Sequence, residues 1–108
     1  MAADNNLESY AIDDLNEMLK GSISEDINVI VQIDRALGYY ELGVGGLADW
    51  KSTKRFRVKR GALEELADLG EVNTGDPDSL RDFVSWGFKT FPSERRFLTL
   101  WNHGSAWQ

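Results

Sequence analysis

The sequence contains no cysteine, and that single absence removes a whole set of chemistries. No disulfide braces the fold, no thiolate holds a metal, and no cysteine within these residues acts as a nucleophile. There is one histidine, His103, which leaves no ligand set for a structural zinc site. No run approaches the roughly 18 to 20 apolar residues that a membrane-spanning helix needs. The start, Met1-Ala-Ala-Asp-Asn-Asn6, lacks the basic and apolar regions of a signal peptide, so the compartment is not readable. Positive charge in excess is missing too: 12 Lys and Arg stand against 18 Asp and Glu, a net charge of −6. Nucleic-acid binding by bulk charge is therefore not expected, and the basic clusters at 51–60 and 95–96 read as solvated faces.

What is present is ordinary globular composition, 42% apolar and 28% charged over 108 residues, enough for one domain spanning 1–108. Residues 7–20 place Leu7, Tyr10, Ala11, Leu15, Met18 and Leu19 on one helical face. Asn5 or Asn6 caps its start, Glu8 stands where a capping box wants it, and Gly21 ends it. Ile27 to Ile33 is β-branched and nearly continuously apolar, which predicts a parallel strand buried on both faces. Asp34 and Arg35 at its carboxyl end are either site residues or a strand-end ion pair or turn.

Residues 36–53 carry little pattern and read as a variable loop. Gly43-Val-Gly-Gly46 is no phosphate loop, lacking the Gly-Lys-Ser/Thr ending and a following helix. Lys54 to Lys59 alternates basic and apolar residues, predicting a half-exposed strand, antiparallel or at an edge. Ala62 to Leu69 is expected to form a short helix through Leu63, Leu66 and Ala67. Asp76 then caps a helix with Pro77 in its first position and an apolar stripe of Leu80, Phe83, Val84, Gly87, Phe88 and Phe91; Pro92 stops it.

Phe97 to Trp101 reads as a short apolar strand running into an Asn102-His103-Gly104 corner. A helix between two apolar strands implies a right-handed crossover and a parallel pair, hence an α/β fold. In such sheets chemistry collects beyond the carboxyl ends of the strands, where His103 would lie. The plainer alternative is a histidine in an ordinary surface loop.

Met1-Ala-Ala-Asp-Asn-Asn-Leu-Glu8, Asp14-Leu-Asn-Glu-Met18, Val31-Gln-Ile-Asp-Arg35, Leu69-Gly-Glu-Val-Asn-Thr-Gly-Asp-Pro77 and Leu100-Trp-Asn-His-Gly104 together resemble the clostripain family of cysteine peptidases. The likeness covers nearly all of the chain except the loop at 36–53. It implies a caspase-like three-layer α/β/α fold with a mostly parallel sheet. It implies that His103 is the catalytic histidine, base and acid to a cysteine thiolate, and that the Gly104 N–H helps form the oxyanion hole. It implies a nucleophile on a later strand, beside an acidic residue selecting Arg or Lys at the cleavage site. Neither that strand nor the family's first strand is found here, so the expectation is an amino-terminal piece, inert alone. Its expected partners are a peptide or protein substrate and the rest of the peptidase domain, in the same chain or a processed second one. The alternative is a non-catalytic subunit or interaction module that pairs with a second chain.

Other residues stay open on this reading. Asp4 or Asn5 touches the site or caps the first helix; Trp101 and Trp107 wall a cleft or pack in the core. Calcium is implied by the resemblance only, and Asp76-Pro-Asp78 beside Gly75 has too few ligands for a calcium loop, so capping is the stronger reading.

Overall fold

A computed structural model describes residues 1–3, 6–21, 26–35, 50 and 52–102. Its elements are β1 (Ala2–Ala3), α1 (Glu8–Lys20), β2 (Ile30–Arg35), β3 (Thr53–Lys59), β4 (Ala62–Gly70) and α2 (Pro77–Thr90). The strands form one four-stranded sheet in the order β1-β2-β3-β4. No described helix is long and apolar enough to cross a membrane.

Strand β2 carries only the second half of the anticipated run, Ile30 to Ile33, and continues through Asp34 and Arg35; Ile27 lies before it and is exposed, while Val31 to Arg35 are all buried. It pairs parallel with β1, Ala2 opposite Asp34, and antiparallel with β3, Val31 opposite Phe56. The β3–β4 pair is antiparallel as well. A mostly parallel sheet was expected; the described sheet instead has one parallel and two antiparallel pairs. The cause is local. A β3–β4 hairpin is closed by only Arg60 and Gly61, with Gly61 at φ 76°, and a turn that tight permits antiparallel neighbours alone.

Alternation along the strands sorts side chains to two faces. Val31, Ile33, Phe56 and Val58 form one face, buried with Ala11, Ile12, Leu15 and Leu19 of α1 and with Ala3, Trp50 and Leu63. Gln32, Arg55 and Arg57 take the other face, toward α2: Arg55 bonds Asp82 at 2.7 Å, and Arg57 lies 5.7 Å from the Phe91 ring just past the helix. The sheet thus lies between the two helices. Helix α1 starts one residue later than anticipated, with Leu7 at the N-cap position and no side-chain cap bond. Tyr10 and Met18, assigned to its buried face, are exposed. Gly21 ends α1, but with φ −68° rather than a left-handed angle; its N–H still reaches Glu17 and Met18.

The segment expected to be a helix, Ala62 to Leu69, is strand β4. Its register accounts for the misreading. Phe56 opposes Glu65 and Arg55 opposes Ala67, so Leu66 is an extra residue; Lys54 opposes Asp68 and Thr53 opposes Gly70, so Leu69 is another. Two bulges turn a strand's period of two into the three-residue spacing of Leu63, Leu66 and Leu69. Ion pairs of Lys54 with Glu65 and of Lys59 with Glu64 run across the hairpin. Gly70, at φ 67°, closes β4, and its N–H donates to Asp68. That bond, with one from the Ser52 hydroxyl, holds the Asp68 carboxyl below the usual carboxylate range.

Strand β3 is antiparallel as anticipated but interior, because β4 takes the edge. Helix α2 follows its sequence signals: Asp76 accepts the Asp78 N–H at 2.9 Å, and Pro77 takes the first turn. Its apolar stripe is only half-buried. Phe97 to Trp101, anticipated as a strand, is irregular, with Phe97 93% and Leu100 70% exposed. A strand needs a backbone partner along its length, and β1 has two residues to offer. One ladder-like bond forms, from the Ala2 N–H to the Trp101 carbonyl at 3.0 Å.

Candidate functional site

The carboxyl ends of the parallel pair β1–β2 are where the sequence placed the chemistry, and a buried polar knot occupies that end of the sheet. Asp34, 3% exposed, accepts from the Thr53 hydroxyl at 3.0 Å and from the Thr74 hydroxyl at 3.2 Å. One carboxylate therefore joins β2, the start of β3 and the loop that leads into α2. Arg35, 1% exposed, sets its guanidinium 4.6 Å from the centre of the Trp50 ring. Both residues are built into the frame of this end of the sheet.

The chain start is packed into the same region. The Met1 amino group donates to the Gln32 carbonyl at 2.6 Å, and the Met1 carbonyl accepts from the Asp34 N–H at 3.1 Å. Burial lowers the pKa of that amino group from 8.0 to about 6, partly opposed by the negative charge of Asp34.

The approach to His103 is fixed from two sides. The Trp101 carbonyl takes the Ala2 N–H, which sets this backbone beside β1. The Trp101 indole N–H donates to Asp14 Oδ2 on α1 at 2.7 Å, and the ring packs against the core. Trp101, left open between cleft wall and core, thus combines core packing with a polar anchor. Asn102 is exposed at the end of the described segment. His103, Gly104, Trp107, Asp4 and Asn5, all named from the sequence, lie outside the described residues.

Two hollows flank this segment. One of about 390 Å³ runs from Met1 and Ala2 to Thr74, Ser79 and Leu80, with Trp101 and Asn102 on its rim. The other, of about 600 Å³, is apolar and lies between β2, α2 and residues 93–101. Asp76 serves as the cap of α2, and Asp78 pairs with Arg81 at 3.5 Å. Among the described residues no group of three or more His, Cys, Asp or Glu side chains could hold a metal ion.

Three participants were given no role from the sequence: Thr53, and Asp14 and Thr74, which stand within quoted motifs. Asp14 had two visible signals, its place at the head of a quoted motif and a carboxylate between the core residues Ala11 and Leu15. Nothing in a single sequence points to a partner 87 residues away.

The chain matches the sequence model of the clostripain family from residue 1 to residue 108. It is similar to clostripain of Hathewaya histolytica, 28% identical over 118 residues, covering 96% of this chain and 22% of that protein. The chain thus spans about a fifth of that relative's length. With the motifs from Met1 to Gly104 in one order along a sheet-and-helix frame, this chain belongs to the clostripain family.

Proposed function

We propose that this chain is the histidine-bearing part of a clostripain-type cysteine endopeptidase with a caspase-like α/β frame, cleaving after Arg or Lys. The observation that carries the reading is the family match over residues 1–108, which includes the Trp-Asn-His-Gly segment. The described geometry is compatible with it: Trp101, two residues before His103 in the sequence, is anchored beside β1 through the Ala2 N–H. The cysteine is supplied from outside these residues, because the sequence has none.

In this reading His103 takes the proton of the cysteine thiol, and an imidazole suits the task because its ordinary pKa lies near neutrality. The thiolate attacks the scissile carbonyl, and the developing oxyanion accepts from the Gly104 N–H. His103 then protonates the leaving amine, and water cleaves the thioester with His103 again as base. Without the cysteine-bearing partner segment the chain is inert.

The test is a peptidase containing both the histidine and the cysteine segments, assayed on a peptide with Arg before the scissile bond. His103→Ala should lower kcat by at least about 10³-fold without loss of folding. An active His103→Ala variant removes His103 from the mechanism. A second reading, a non-catalytic module pairing with another chain, is favoured by the exposure of Phe97 and Leu98 beside the apolar hollow. Tight assembly with the cysteine-bearing segment but no cleavage of any Arg or Lys peptide would select it.

A further inference from the structure

The Asp14-Leu-Asn-Glu-Met18 motif carries a polar residue that the proposed chemistry does not use. Asp14 sits on α1 beside Leu15 and one turn from Ala11, both fully buried, so its backbone belongs to a helix docked on the core. Its Oδ2 accepts the Trp101 indole N–H at 2.7 Å, a short, charge-assisted bond. Trp101 is held a second time through its carbonyl, which accepts from Ala2. Ala2 belongs to a strand pinned in turn by Met1 to Gln32 and Asp34. Side chain and backbone of one residue are thus tied to two different elements, α1 and β1. The two attachments fix both the position and the rotation of Trp101.

We propose that Asp14 is a positioning residue: through the Trp101 indole it sets the backbone that presents His103. The inference rests on the reading of His103 as the catalytic base. Trp101 is the strut and Asp14 its footing. Loss of the footing frees the indole and removes one of the ties on Trp101, two residues before His103 in the sequence. Substrate contacts made elsewhere are untouched, so the effect falls on kcat and spares KM.

The experiment uses the peptidase with both histidine and cysteine segments and compares Asp14→Leu, Trp101→Phe, their double variant and Asp14→Asn, with His103→Ala alongside. Asp14→Leu and Trp101→Phe each remove one half of the bond and should lower kcat roughly 10- to 100-fold at unchanged KM. The double variant should be no worse than either single one. Asp14→Asn keeps an acceptor oxygen of the same shape and should restore most of the rate. It also guards against misfolding, since it changes no volume, and near-ultraviolet circular dichroism checks all variants. Unchanged kcat in Asp14→Leu and Trp101→Phe with an inactive His103→Ala overturns the positioning role alone. Additive losses in the double variant, or Asp14→Asn as poor as Asp14→Leu, overturn it as well. An active His103→Ala overturns the catalytic reading on which it stands.

Discussion

Acetylating the amino terminus of the 108-residue chain should remove a pH dependence that the free amino group imposes on its stability. The Met1 amino group is buried, donates to Gln32 at 2.6 Å, and has its pKa lowered from 8.0 to about 6 by desolvation. The unfolded chain holds this proton more tightly than the folded chain does. Between pH 6 and 8 the unfolded state therefore binds more protons, and stability rises with pH across that window. Below it both states are charged, and the fold carries the full cost of burying the charge, about 3 kcal/mol. Above it both are neutral and the cost is gone. Acetylation makes the group an uncharged amide that can still donate to Gln32. Urea unfolding at pH 5.5 and pH 9 of the free and acetylated chains isolates the effect, since His103 and the carboxylates are common to both. With a slope of roughly 1–3 kcal/mol/M, the midpoint of the free chain should rise by about 1–3 M more than that of the acetylated chain. Equal changes in the two chains would refute the reasoning.

Two further outcomes follow from the sheet. Arg55 is 4% exposed, bonded to Gln32 and Asp82 and 4.5 Å from the Trp86 ring; Arg55→Leu strands the buried Gln32 amide and should cost about 1–3 kcal/mol in urea unfolding. No loss of stability would mean that α2 is held by other contacts. A Cβ at Gly61 would meet nothing within 4 Å, yet its φ is 76°, so Gly61→Val should cost about 1–2 kcal/mol from backbone strain alone, read as a lowered Tm. An unchanged Tm would show that the hairpin turn adopts another shape.

How much of this was legible follows from where each signal resides. The helix α2 is announced locally by Asp76 and Pro77, and β2 by its β-branched run, so both could be read without tertiary information. Strand β4 could not, because Leu66 and Leu69 are extra residues only relative to β3. Arg55 looked like a solvated strand residue; its burial depends on Asp82, Phe83 and Trp86 arriving from α2. Phe97 to Trp101 has the composition of a strand, but pairing is a property of neighbours, and here one bond to Ala2 is made. At the candidate site, the motif around Trp101 was visible, whereas the Asp14 anchor required two distant segments to meet.

The bulges in β4 reach beyond the shape of one hairpin. Each extra residue breaks the even spacing of outward backbone groups, and the ion pairs of Glu64 and Glu65 with Lys59 and Lys54 put charged side chains along the same hairpin. An approaching strand would find no regular ladder there. The opposite border, at β1, holds the Trp101 carbonyl through the Ala2 N–H. Among the described strands the two borders thus differ: β4 offers an irregular ladder, while β1 already engages the backbone of the segment that leads to Asn102.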